Sequence, residues 1–116
     1  MCEIRKATIA TTALESWQPV GVTIHEGNPD GYGFTLFEDY EDGARAAGIF
    51  ECEPARTTYM LEFNEIIHVP EASVTIELDT ASRVDLEPGD IAFLPKGHLS
   101  TWTFHTRFKE FWILAD

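Results

Sequence analysis

Apolar and polar residues alternate with a period of two along much of this chain, in short runs cut by proline, glycine and acidic residues. Val74-Thr75-Ile76-Glu77-Leu78 is the plainest case: its apolar side chains fall on one face of an extended strand and its polar ones on the other. Phe50-Glu51-Cys52-Glu53 alternates in the same way, so Phe50 and Cys52 share a face that the pattern predicts to be inside. Further strands are expected at Val22 to His25, Phe34 to Phe37, Thr57 to Leu61, Glu65 to Val69, Arg83 to Leu86, Ile91 to Leu94, Ser100 to Phe104 and Phe108 to Leu114. Pro54-Ala55-Arg56, Pro70-Glu71-Ala72 and Asp79-Thr80-Ala81-Ser82 supply the breaks, and the stretch from Gly27 to Gly33 is dense enough in glycine, proline and aspartate to be a loop. Glu38 to Gly43 reads as an acidic turn ending in the Asp42-Gly43 pair favoured by tight reversals. No amphipathic helix of ordinary length appears. Residues 1–15 lack a decisive period and form an N-terminal arm that can add an edge strand, leaving 16–116 as the folded domain. Many short strands at regular turn spacing predict an all-β sandwich or barrel, and a jelly roll closes such strands with few exposed edges.

The most informative stretch runs from Leu86 to Phe104. Glu87-Pro88-Gly89-Asp90 is turn chemistry, Ile91 to Leu94 is a short apolar strand, and Pro95-Lys96-Gly97 offsets the chain before the next strand. Gly89, Pro95 and Gly97 stand in the spacing Gly-x5-Pro-x-Gly, which resembles the second motif of the cupin family. Gly48 to Pro54, Asn64 to His68, Pro88-Gly89-Asp90 and Thr101-Trp102 follow in an order similar to that of the small RmlC-like cupins resembling the cupin domain of (S)-ureidoglycine aminohydrolase. The resemblance covers Trp17 to Leu114 and implies a cupin-type double-stranded β-helix, a form of jelly roll.

Metal-binding cupins supply a His-x-His pair, a glutamate a few residues later, and a histidine after the second-motif glycine, a set suited to octahedral divalent ions. By that resemblance Glu65 matches the glutamate, but Tyr59 and Leu61, or Thr58 and Met60, occupy the paired histidine positions and Ser100 the last one. No metal or cofactor is therefore expected beyond a loosely held divalent ion. His68 has the opposite parity to Glu65 and points to the other face of a regular strand. His98 belongs either to an exposed loop or to the barrel mouth, and His25 and His105 lack ligand spacing.

In the cupin register Glu65 faces the lumen near Phe50, Tyr59 and Trp102, where lost hydration raises a carboxyl pKa and suits it to general acid or base work. The alternative is a structural carboxylate held by Arg56, Lys96 or backbone amides. Tyr59, Trp102, Phe50, Ser100 and Lys96 are the candidate ligand contacts: a hydroxyl donor, a flat wall, an apolar wall, a polar group at the vacated histidine position, and a cation at the rim. Each has a plainer reading as packing or as an exposed turn.

Length and charge narrow the function. The 116 residues suffice for one domain, and 8 Lys+Arg against 20 Asp+Glu give a net charge of -12, which repels nucleic acid and anionic membranes. Cys2 and Cys52 do not make a disulfide framework, the N-terminus lacks a signal-peptide pattern, and no apolar run is long enough to span a bilayer, so a cytoplasmic protein is expected. Three functions stand open. The first is a cupin binding a small polar metabolite in its lumen without a full metal-ligand set. The second is an enzyme related to ureidoglycine aminohydrolase, acting on a small nitrogenous or carboxylate metabolite with Glu65 as acid or base. The third is a structural homodimer with a filled lumen. The resemblance to cupins, which commonly pair, implies a homodimer, and since Phe111 and Trp112 alternate, one of them faces away from the local core and could cover a partner.

Overall fold

The computed structural model describes residues 3–41 and 45–116, so Cys2 and the Asp42-Gly43 turn lie outside the described residues. All regular structure within them is β: β1 (Glu15–Ser16), β2 (Thr23–Gly27), β3 (Tyr32–Asp39), β4 (Arg45–Cys52), β5 (Ala55–Met60), β6 (Glu65–His68), β7 (Val74–Leu78), β8 (Arg83–Leu86), β9 (Ile91–Leu94), β10 (Leu99–Phe104) and β11 (Phe108–Ala115). They form two antiparallel sheets, one in the order β1-β3-β4-β11-β6-β9 and the other in the order β2-β5-β10-β7-β8. Sequence neighbours thus alternate between sheets, β4 with β5 and β10 with β11, which is the winding of a jelly roll. Among the described residues no helix is long and apolar enough to cross a membrane.

Most strands lie where the alternation places them, and the differences have local causes. Ala55 and Arg56, expected in a turn, already pair with Phe104 and Thr103 in β5, leaving the reversal to Glu53 and Pro54. The expected Phe34 to Phe37 strand extends to Tyr32–Asp39 because β4 offers partners along its length, with a bulge between Thr35 and Phe37. The N-terminal arm turns at Thr8, whose carbonyl accepts bonds from the amides of Thr11 and Thr12, and its edge strand is the two-residue β1 paired to β3.

The two sheets enclose a core that includes Leu61, Ile67, Val69, Val74, Ile76 and Phe108, all nearly or fully sealed from solvent. Burying each such side chain contributes roughly 1.5–3 kcal/mol. Strand β11 shows how parity divides the faces: Phe108 and Glu110 are buried toward the second sheet, while Phe111 borders an outer hollow with Ile49, Leu36, His68 and the arm residues Ala7 and Ile9. The arm therefore lies against the back of the six-stranded sheet. Gly89 and Gly97, the two motif glycines, hold φ of 95° and 91°, and their amides donate to the carbonyls of Val69 (2.6 Å) and Leu61 (2.7 Å). Those bonds pin both turns flanking β9 in a conformation that a side chain would strain.

Candidate functional site

Between the sheets, inward-facing side chains leave a cavity of about 350 Å³. The lumen is therefore not filled. Aromatic residues form much of its wall, and strand register explains their convergence. On the five-stranded sheet Trp102 pairs with Thr57 and Ile76, and Tyr59 lies two residues along β5 from Thr57, on the same face. On the six-stranded sheet Phe50 pairs with Glu110, two residues from Trp112. Trp17 enters from the segment after β1, stacking on Trp112 with centroids 6.2 Å apart and meeting Phe50 edge-on at 5.7 Å. Two glycines make room for these rings. A Cβ on Gly33 would come 2.6 Å from the Trp17 ring, and one on Gly48 2.6 Å from that of Trp112.

The polar part of the cavity is acidic. Glu65 on β6 and Glu110 on β11 both line it, with 8% and 4% of their surface exposed, and Glu62 contributes a third, exposed carboxyl. Burial raises the Glu65 carboxyl to about 7, and burial together with the neighbouring Glu65 charge raises Glu110 well above the usual carboxylate range. The Tyr59 hydroxyl is pushed up to about 12, first by burial and then by the charges of Glu65, Glu62 and Glu110. Two buried polar atoms here, Glu110 Oε2 and Trp112 Nε1, have no hydrogen-bond partner among the described residues. Such groups carry a desolvation cost that a bound molecule or water can relieve.

Of the residues singled out in the sequence, Phe50, Tyr59, Glu65 and Trp102 meet at this cavity, and Ser100 and Lys96 do not line it. Ser100 is fully buried and its hydroxyl is engaged, donating to the Tyr59 carbonyl at 2.6 Å and accepting from Trp102 Nε1 at 2.8 Å. It orients the Trp102 wall instead of contacting the lumen. Lys96 sits in the exposed turn and pairs with Asp116 at 3.3 Å, while Arg56 is exposed on β5. Neither forms an ion pair with Glu65, which corrects the structural-carboxylate alternative for those two partners.

Glu110 was not among the residues singled out. Its signal was its parity with Trp112 along Phe108 to Leu114, but a strand with aromatic residues on both faces does not declare which one is inside. The four histidines all lie away from the cavity. His25 contacts the Thr58 hydroxyl at 3.0 Å, His68 borders the outer hollow, His98 meets Asp79 at 2.8 Å, and His105 meets the Thr75 hydroxyl at 2.7 Å. The His98 and Leu99 contacts hold the Asp79 carboxyl below its ordinary range, the Leu99 amide being the larger cause. Cys52 is buried, and its thiol is pushed up by burial and then by Glu110, which leaves it far from a nucleophilic thiolate.

The donors present do not fit the cupin metal set. The lining acids are glutamates alone, no imidazole lines the cavity, and no group of three or more His, Cys, Asp or Glu is gathered closely enough to hold an ion among the described residues.

Two antiparallel sheets wound into a roll around a lumen, with the Gly89 to Gly97 turns pinned as described, define a cupin-fold protein. More particularly, the chain belongs to the EutQ-like cupin domain family, whose model matches residues 40–111. No curated protein matches the chain in sequence. Among solved structures it is similar to the Clostridium difficile EutQ protein, with 21% identity over 73% of this chain and a TM-score of 0.63, and it spans 61% of that protein's chain. It is also similar to a protein of unknown function from Rhizobium leguminosarum bv. viciae 3841, with 20% identity, 97% of this chain and 96% of that one covered, and a TM-score of 0.68. The polyketide cyclase RemF from Streptomyces resistomycificus matches at 19% identity over 97% of this chain and 79% of its own, with a TM-score of 0.67. At these identities the likeness establishes the fold alone.

Proposed function

We propose that this protein binds a small metabolite inside the roll, held between the aromatic walls and the Glu65 and Glu110 carboxyls, with no tightly held metal. One observation carries the reading: a cavity of about 350 Å³ has two buried carboxyls on its wall, one of them with an unpartnered oxygen. That volume falls at the lower end of ordinary small-molecule sites, and mostly apolar walls with a few convergent polar groups are what such sites present. Buried ionisable groups without a neutralising partner reduce stability, so their presence in a cleft is a functional signal.

A second reading is supported by the same pair. Glu65, with a raised pKa near neutrality, can take up or release a proton at physiological pH, while burial and then the Glu65 charge favour the protonated form of Glu110. Two carboxyls in different protonation states can serve as base and acid, as a hydrolase of the ureidoglycine aminohydrolase kind would require. The chain would then be an enzyme acting on a small nitrogenous metabolite.

A thermal-shift screen of small metabolites, with and without Mn²⁺ or Zn²⁺, tests both readings, because a ligand that binds the native state raises apparent stability. Stabilisation by an organic ligand without added metal is expected. Elemental analysis of protein purified without chelator should find less than about a tenth of a metal ion per chain, and stoichiometric metal would overturn the metal-free reading. Turnover of a stabilising ligand that disappears in Glu65→Gln would favour the enzyme.

A further inference from the structure

We infer that the lumen selects a small organic cation, an ammonium group carried on a flat apolar body, and excludes carboxylates and phosphates. The inference rests on the small-molecule reading above and names the chemistry of the molecule bound. Its first support is the charge of the wall. Three glutamates, Glu62, Glu65 and Glu110, line the cavity, and no lysine, arginine or histidine does so among the described residues. Three of the basic groups outside it are engaged elsewhere: Lys96 with Asp116, Arg107 with Glu51 and Glu53, and Arg83 with Asp85. An anion entering this space would meet three carboxyls and no counter-charge.

The second support is an unsatisfied acceptor. Glu110 is almost wholly buried, lines the cavity, and has an oxygen without a hydrogen-bond donor, an acceptor that an N–H of a bound ammonium would satisfy. The third is the aromatic wall. Trp17 packs against both Phe50 and Trp112, and Tyr59 and Trp102 line the cavity from the other sheet. Aromatic faces are negative, and a cage of them attracts ammonium ions while accepting a flat hydrocarbon body. The net charge of -12 acts in the same direction by raising the local concentration of cations at the mouth.

Binding is then coupled to proton release. The titratable groups facing the lumen are Glu65 from β6, Glu110 from β11, Glu62 from the connection before β6, Tyr59 from β5 and Tyr40 from the segment after β3, with Cys52 of β4 buried in the adjoining core. Burial and, for Tyr59 and Cys52, neighbouring carboxylates keep those two groups neutral. Glu65 is the buried group whose ionisation a cation would promote at neutral pH, so affinity rises as pH rises through its titration.

The three tryptophans of the chain, Trp17, Trp102 and Trp112, all line this cavity, so intrinsic fluorescence reports on its occupancy. We would titrate the full chain with benzylamine, benzyltrimethylammonium, benzyl alcohol and benzoate at pH 8. The two cations should bind at least about tenfold more tightly than benzyl alcohol, with benzoate weakest. Lowering the pH to 5.5 should weaken benzyltrimethylammonium, whose own charge does not titrate, by about tenfold or more. Glu65→Gln, checked for folding by thermal unfolding, should lose the preference for cations while keeping benzyl alcohol. Benzyl alcohol or benzoate binding as tightly as the cations, or no pH effect on benzyltrimethylammonium, would overturn the assignment and leave small-molecule binding standing. No response to any of the four probes would overturn both.

Discussion

Glu65 on β6 and Glu110 on β11 stand on hydrogen-bonded neighbouring strands and open onto the same cavity, where the charge of Glu65 opposes ionisation of Glu110. No ion pair neutralises either carboxyl among the described residues, so the pair is held by the fold against its own electrostatics.

Stability should consequently fall as pH rises from mildly acidic to alkaline. Below the ordinary glutamate value of 4.5 both folded and unfolded states hold the Glu65 proton. Between 4.5 and about 7 only the native state holds it, so the unfolded state binds fewer protons and unfolding becomes easier. Above that range the Glu65 contribution levels off at a loss of about 3 kcal/mol, and Glu110, also raised, adds to the decline. Urea denaturation of Glu65→Gln against wild type should show near-equal stability at pH 4.5 and a more stable variant at pH 8. Parallel curves at all pH values would mean that Glu65 titrates as an ordinary surface acid.

Ser100→Ala should reduce stability by roughly 1–3 kcal/mol, because it strands the buried Trp102 Nε1 and removes a bond to the Tyr59 carbonyl. Ser100→Thr keeps the hydroxyl but adds a methyl group to a fully buried position, so repacking strain should leave it intermediate or worse. Chemical denaturation of both variants, read by fluorescence of the lumen tryptophans, measures the effect. An unchanged midpoint for Ser100→Ala would show that the Trp102 hydrogen bond contributes nothing.

Gly48→Ala should act on the site through the fold. The new methyl would press on the Phe34 carbonyl and lie 2.6 Å from the Trp112 ring, so the ring stacked on Trp17 must move. A cost of roughly 1–3 kcal/mol is expected for forcing that volume into a packed position, together with a change in near-UV circular dichroism of the stacked pair. A spectrum identical to wild type would place the Trp112 ring elsewhere.

The fold was legible because its evidence is local. Alternation in Val74 to Leu78 and turn residues around Gly89 and Gly97 fix strands and reversals within a few positions of themselves, and both occur in the structure as written in the sequence. The site was only partly so. Phe50, Tyr59, Glu65 and Trp102 lie on strands whose inward parity could be inferred, and they meet at one cavity. Trp17 reaches it from an irregular segment whose path depends on the stack with Trp112, a contact between residues at opposite ends of the chain. Glu110 is hidden for a related reason: in Lys109-Glu110-Phe111-Trp112 a charged residue shares parity with one aromatic and opposes another. Which face turns inward is decided by β4 and β6 on either side of β11, not by β11 itself.

The most direct measurement is a carbon-13 NMR titration of the glutamate side-chain carboxyls, with Glu65→Gln and Glu110→Gln used to assign the two signals. Glu65 should titrate with a midpoint near 7 and Glu110 well above the ordinary 4.5. Midpoints for both near the ordinary 4.5 would place these carboxyls in water and remove the acidic lumen on which the functional reading depends.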